Sequence, residues 1–296
     1  MTSGQSHSLT SDEYAISPTR ENALTYSCAV PSWILGLIVV LVVVLAVTAK
    51  LAARTRAPDP GWFIDSTRAA GALTVIGTMF SVLLAFTIFF ALQSYQRASN
   101  GASVEAVAVT ELHNVADVLE GHDGEKLHGG LICYSRAVVS DEWSAMSRSE
   151  TSPSVNHWVD TMVEDFAATT PEGASQEAAY GQWFDQQAER RDGRRDRLAE
   201  ATPSVPFPLW IVLGIGASAI LSYMCVQADR RESAVVQAVP IAFVSALVAS
   251  ALVVVAFLDH PYSDWSGSIQ PTEMNVTLQF IDDGHPAPCD ESGNPT

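Results

Sequence analysis

Apolar positions along this chain are gathered into uncharged blocks rather than alternating with polar ones. Trp33 to Ala49, Ala69 to Leu92, Phe207 to Val226 and Val235 to Leu258 hold 17, 24, 20 and 24 residues without a single Asp, Glu, Lys, Arg or His. At about 1.5 Å rise per residue the longer blocks reach about 36 Å as helices, enough to cross a hydrocarbon core of about 30 Å with some tilt. The first block is shorter, but Lys50 can snorkel to the interface and the apolar path runs on through Leu51 to Ala53. Four such segments leave too little amphipathic helix to wrap them inside a soluble protein. The pattern predicts four transmembrane helices.

Between the second and third blocks the pattern changes to one-sided stripes. Val104, Val107, Ala108, Leu112, Val115 and Leu119 recur at helical spacing, so the second span is expected to continue out of the membrane, with Gly101 a place where it bends. Leu127, Leu131, Tyr134, Val138 and Trp143 form a second stripe. Val155, Trp158, Met162 and Phe166 form a third, entered after Pro153, and a fourth helix from Gly173 to Ala201 carries Tyr180, Trp183, Phe184 and Leu198 before "PSVPFP" breaks it. No hairpin signal competes. The expected fold is all-α: four transmembrane helices with a helical extramembrane bundle between spans two and three. The expected segments are an acidic, disordered N-terminal tail (1–32), spans one and two with a short basic loop (33–92), the extramembrane region (93–206), spans three and four (207–258), and an interfacial turn with an acidic C-terminal tail (259–296).

"VTA" at Val47 to Ala49 has the small-residue form of a signal cleavage site. The acidic Asp12, Glu13 and Glu21 upstream, against the single Arg20, favour a retained first span. Pro31, Pro208 and Pro240 read as helix entries. In the fourth span Ala242, Ala246 and Ser250, with Ser245 and Ala249 beside them, form a small-residue face for close helix packing, and "GIGAS" at Gly214 to Ser218 adds another in the third.

Charge sets the orientation. The net charge is −17, of which the central region carries −10 and the stretch from Asp259 onward −7, which argues against nucleic acid and against an anionic membrane surface as partners. The two short loops instead hold Lys50, Arg54, Arg56, Arg68, Arg230 and Arg231. The positive-inside rule places those loops in the cytoplasm and both termini and the central region outside it, in a multi-pass protein of the plasma membrane. One feature pulls the other way: "RRDGRRDR" at Arg190 to Arg197 lies near the third span on the side assigned as external. Of the four cysteines, Cys225 lies within a span. Cys28, Cys133 and Cys289 share a compartment and are read as free thiols, with one disulfide open to them if that compartment is oxidising.

Catalytic chemistry has little support. No nucleophile elbow, phosphate loop or dinucleotide fingerprint occurs, so the chain is read as non-enzymatic and without a cofactor. Glu111, His113, Asp117, His122, Asp123 and His128 lie close in sequence, with His113 and Asp117 on one helical face, but they follow no established metal-ligand spacing. They are read as a solvated helix end and turn, and no metal is assigned. The spans lack ionisable groups at membrane depth, against proton- or ion-coupled transport. A pore can still be lined by hydroxyls, aromatics and backbone groups; Thr74, Phe80, Ser81, Phe86, Thr87 and Phe90 of the second span are the candidates.

The stretch "FLDHPYSDWSGSIQP" (Phe257 to Pro271) ends the fourth span. Pro261 cannot continue the helix, Gly267 permits a tight turn, Tyr262 and Trp265 suit a headgroup layer, and Asp259 is placed to accept from the turn that follows. Together with "GTMFSVLLAFTIFFALQSYQRASNGASVEAVAVTELHNVADVL", this stretch resembles the bestrophin-like family of bacterial membrane proteins, over about Gly71 to Met274. The shared residues are Tyr95 and Glu105, then Asp259, Pro261, Tyr262, Ser263 and Gly267, all read as structural. The resemblance implies a distant similarity to bestrophins, pentameric anion channels with a narrow aromatic neck and cytoplasmic soluble regions. It thereby implies a homo-oligomer with the second span at the pore. The expected function is a non-enzymatic membrane or envelope interaction protein, with an oligomeric anion channel as the alternative. The expected partners are the lipid bilayer and other copies of the chain.

Overall fold

The computed structural model describes residues 32–57, 66–119, 122–263, 265–282 and 284–296. The N-terminal tail, Cys28, Pro31 and Asp264 lie outside these residues, as do the side chains of Arg68 and His122. Among the described residues every regular element is helical. The membrane part comprises α1 (Ser32–Arg56), the first half of α2 (Ser66–Ala116), α7 (Phe207–Val226) and α8 (Ala234–Leu258). All four meet the length and apolarity needed to cross a bilayer. The extramembrane part comprises the second half of α2, α3 (His122–Ala137), α4 (Trp143–Met146), α5 (Pro153–Ala168), α6 (Gly173–Ala199) and α9 (Thr272–Ile281). A single π-helical turn, Val138–Glu142, joins α3 to α4.

Helix α2 spans 51 residues, about 77 Å at the rise of an α-helix, and is shared by both parts. Its charge-free half packs on α7 and α8. Its striped half packs on α6, α3 and α9. Gly101 was expected to bend this helix and instead brings another one close. A Cβ there would lie 2.8 Å from both the Arg197 nitrogen and the Gly193 carbonyl oxygen, and a Cβ on Gly193 would lie 2.6 Å from the Glu105 nitrogen. The two glycines face each other, so α2 and α6 touch backbone to backbone.

The bundle core takes most of the predicted stripes, although Val107 and Phe184, expected among them, are exposed. Leu112, Val115, Leu119, Leu127, Leu131, Tyr134, Val138, Val155, Trp158, Met162, Phe166 and Trp183 are buried in one cluster. Phe166 stacks on Trp183 and Tyr180 with ring centroids 4.8 and 4.4 Å apart. Helix α5 starts at the Ser152 cap, whose hydroxyl accepts from the Val155 N–H at 3.2 Å, with Pro153 in the first turn.

The segment read as an acidic tail is folded. Helix α9 lies on α2, where the Thr277 hydroxyl donates to the Ala106 carbonyl at 3.1 Å. The residues after it cross α3, where Trp158 Nε1 donates to the Gly293 carbonyl at 2.6 Å. Cys133 on α3 and Cys289 form a disulfide, which corrects the expectation of free thiols. Cys225 is the free cysteine among the described residues.

At the opposite end of the spans, the basic residues of the short loops act as caps. Lys50 Nζ donates to the Met224 carbonyl at 2.6 Å, and Arg54 donates to the Glu232 carbonyl at 2.8 Å. Cations therefore satisfy last-turn carbonyls of α7 and the α7–α8 loop. The close-packed face of α8 is Ile241, Ser245 and Ala249, so it includes the predicted Ser245 and Ala249 and lies one position before Ala242, Ala246 and Ser250. Pro240 lies inside α8 rather than at its entry.

The glycine contact carries a testable consequence. Gly193→Leu forces apart two backbones already in contact and is expected to lower bundle stability by about 1–3 kcal/mol or more. Gly181→Leu on the same helix, where a Cβ meets nothing within 4 Å, is expected to leave it nearly unchanged. Thermal melting of the purified protein in detergent checks the pair.

Candidate functional site

Two sets of residues lie along α2: a face turned away from the protomer's own helices, and a buried charge network beside the point where α2 leaves the membrane part. In the outer face, Thr74, Ser81, Phe86 and Phe90 are exposed, with Val75, Met79, Val82 and Phe89 next to them. A shallow groove of about 510 Å³ runs along Leu73, Thr74, Gly77, Thr78, Ser81, Val82 and Ala85. The hydroxyls of Thr74, Thr78 and Ser81 donate to carbonyls one turn back, at 2.7–2.9 Å. They line the groove at no cost in unpaired donors. Phe80 and Thr87, also candidates from the sequence, point inward. Phe80 seats its ring on Gly216 of α7 among Leu213, Ala217 and Ile220, and Thr87 is buried with its hydroxyl on the Leu83 carbonyl.

The motif residues converge where α2, α7 and α8 meet the bundle. Tyr95 donates its hydroxyl to the Gly267 carbonyl at 2.9 Å, and Tyr262 donates to the Ala98 carbonyl at 3.0 Å. Pro261 accepts from the Ile269 N–H at 2.9 Å, the Ser263 hydroxyl bonds the His260 carbonyl, and Gly267 turns the chain at φ +96°. Two expectations are corrected here. Tyr262 is buried against Trp143 and Ala98 instead of resting in a headgroup layer, because its hydroxyl finds a protein carbonyl. Asp259 accepts from Val205 N at 2.7 Å and from the Ser204 hydroxyl at 3.1 Å, holding the entry to α7 rather than its own following turn.

Glu105 lies two turns beyond Ala98, fully buried. Its carboxylate takes two hydrogen bonds from Arg197, Nε at 2.6 Å and Nη2 at 2.9 Å, and a short one from the Tyr134 hydroxyl. Arg197 also donates to Glu142 at 2.6 Å, and Arg194 closes on the far side of Glu142. Arg190 lies over the Tyr134 ring at 4.9 Å. Burial pushes the Glu142 carboxyl up, but Arg197 and Arg194 outweigh it and hold the group below its ordinary value. Burial likewise opposes the charge on Arg197, and the two carboxylates more than restore it. The Tyr134 hydroxyl is driven well above its usual range by burial and then by Glu105. A neutral phenol donating to a carboxylate fits that order.

This network explains the awkward "RRDGRRDR" stretch. Arg190, Arg194 and Arg197 recur at helical spacing on the face toward α2, while Arg191 and Arg195 point to solvent. The signal was present in that spacing. Glu142, which answers the arginines from across the bundle, had no mark in the sequence, and Tyr134 was marked only as part of an apolar stripe. The residues read as a solvated helix end and turn are divided: Glu111 and Asp123 stand apart, whereas His113, Asp117 and His128 come together, joined by His285, which sequence reasoning missed; His113 and His128 are buried, which corrects that reading.

A family model described as the bestrophin-like domain matches residues 34–272. The chain belongs to the bestrophin-like family. Its fold is shared with solved structures of a bacterial bestrophin homologue from Klebsiella pneumoniae. One variant is 13% identical with a TM-score of 0.66, covering 83% of this chain and 98% of the other. A second structure of that homologue, solved by zinc phasing, is 13% identical with a TM-score of 0.64 over 87% and 99%. No curated protein matches. The bestrophin-like residues noticed in the sequence are thus the ones that pin α2 to the last span and to α6.

Two outcomes follow from the network. Arg197→Met leaves two buried carboxylates without their shared cation and is expected to cost about 3–5 kcal/mol, against about 0.5 kcal/mol or less for the exposed Arg195→Met. Glu142 has a folded pKa below its unfolded one, so its contribution is complete above the ordinary carboxylate pKa of 4.5 and is lost as pH falls through the lower folded value. Melting temperature should therefore drop steeply in acid, and Glu142→Gln should flatten that drop while lowering stability at neutral pH.

Proposed function

We propose that this bestrophin-like chain is a non-enzymatic subunit of an oligomeric anion channel, with the outer face of α2 in the pore wall. The observation that carries the reading is that Thr74, Ser81, Phe86 and Phe90 lie along one long helix and remain uncovered by the other helices of the protomer. In an oligomer such a face meets its counterparts around an axis. Rings of Thr74 and Ser81 would offer hydroxyls to a passing anion, and rings of Phe86 and Phe90 would narrow the path to an apolar neck that gates by dewetting. The edge of a Phe ring is positive, which suits an anion in the absence of a fixed cation. Phe80 and Thr87 serve helix packing in this reading. The resemblance to bestrophins, which are anion channels, supports the same assignment.

The orientation that fits best has the bundle and the C-terminus outside the cytoplasm. Three observations support it. The short loops carry the basic residues, Cys133 is joined to Cys289, and three of the five arginines that argued for the opposite orientation are turned inward, two of them onto carboxylates. Disulfides persist in oxidising compartments and are rare in the cytosol. A second reading, an envelope interaction protein, is favoured by the groove of about 470 Å³ between α5 and α6, where Val163 and Phe184 are exposed.

Purified protein in liposomes is expected to pass chloride, and Phe86→Ala with Phe90→Ala to raise the flux several-fold, while Val235→Ala on the exterior of α8 leaves it unchanged. Chloride-dependent quenching or a flux electrode reads the result; absence of flux from well-folded protein sets the channel aside. In intact cells a membrane-impermeant maleimide should label Cys133 and Cys289 only after an impermeant reductant is added. Labelling of these two cysteines without reductant overturns the disulfide, and none after reductant reverses the orientation.

A further inference from the structure

The far end of α2 carries a cluster that the channel reading leaves unused. His113 and Asp117 stand one turn apart on α2, and His128 reaches them from α3. His113 and His128 are buried, whereas the Asp117 side chain is 59% exposed, so the cluster opens to solvent on one side. The Nδ1 atoms of His113 and His128 are 2.8 Å apart, and His128 Nε2 lies 3.2 Å from Asp117 Oδ1. His285 lies flat on the His128 ring, with centroids 4.1 Å apart and planes within 4°.

The proton count in this arrangement is informative. Two imidazole nitrogens 2.8 Å apart can hold only one proton between them. At least one of those nitrogens therefore presents a lone pair, and His128 Nε2 with Asp117 Oδ1, 3.2 Å apart, stand at about the separation of two ligands on one tetrahedral ion. One donor atom from each of His113, Asp117 and His128 lies within 4.8 Å of the others. An ion with bonds of about 2.0–2.2 Å holds tetrahedral ligands about 3.3 Å apart, so side-chain rotations of about an ångström close the set.

We propose that His113, Asp117 and His128 bind one divalent transition ion of the zinc class, with the fourth position open to water on the Asp117 side. Two imidazoles and one carboxylate suit such an ion and disfavour calcium or magnesium, which take oxygen ligands. The His285 ring, stacked on His128, holds that imidazole's plane. Bound there, the ion joins the end of α2 to α3 and fixes the bundle end of the helix that also crosses the membrane. The assignment stands whether or not the protein conducts anions.

The test uses the full chain in detergent, freed of any polyhistidine tag and stripped with chelator, then equilibrated with zinc chloride and freed of loose ion. Mass spectrometry of metal content should give close to one zinc per chain, and zinc should raise the melting temperature. Asp117→Asn, at a solvent-exposed position, should keep its fold and, lacking the charged ligand, bind at least about tenfold more weakly. His113→Gln with His128→Gln should abolish both the bound zinc and the zinc-dependent rise, while His157→Gln should keep both. Substoichiometric zinc on the wild-type chain, or binding unchanged in Asp117→Asn, overturns the proposal. Should the double histidine variant fail to fold, those two measurements decide it.

Discussion

The pairing of Glu105 on α2 with Arg197 on α6 is the interaction on which the rest of this structure depends. Both side chains are fully removed from water, and the cost of stripping two ions of hydration is recovered only if each hydrogen-bonding position is answered. Here the answers come from four elements: Arg197 and Arg194 from α6, Tyr134 from α3, Glu142 from the π-helical turn, and Glu105 from α2. The glycine contact between Gly101 and Gly193 brings the two backbones close enough for these groups to meet. The network thus selects one arrangement of the bundle, while the apolar core supplies most of the energy that makes it compact.

From that fixed point the structure is built downward into the membrane. Ala98, two turns below Glu105, accepts from Tyr262, and Tyr95 donates to Gly267, so the end of the last span is clamped to α2 at the level where the helix emerges. Asp259 extends the clamp to the start of α7. Ser94 and Arg97 on α2 are tied to Glu200 at the end of α6. Every chain crossing between the bundle and the spans is held at one junction, which explains why the motif residues lie there together.

Because α2 is one unbroken helix, its outer face, the charge network and the histidine cluster share a single rigid element. The outer face needs partners that the protomer does not supply, either lipid or other copies. The network and the disulfide-bonded C-terminal segment hold the upper half of that helix in place so that the lower half can present a defined surface.

The sequence by itself determined the helices and the membrane. Uncharged blocks of twenty or so residues have no stable alternative to spanning helices in lipid, and one-sided stripes such as Val155, Trp158, Met162 and Phe166 have none to amphipathic helices with a buried face. Tyr95, Glu105 and the Asp259 to Gly267 turn were also legible, as a resemblance. Tertiary structure alone decided what those residues do. Pairwise contacts between Glu105 and Arg197, Cys133 and Cys289, or His128 and His285 join positions about ninety or more residues apart in sequence, and a local pattern carries no information about which distant helix a side chain will meet. The same limit divided the α2 candidates: periodicity placed Phe80, Phe86, Thr87 and Phe90 on one helix, and only the seating of Phe80 on Gly216 showed which of them faces inward.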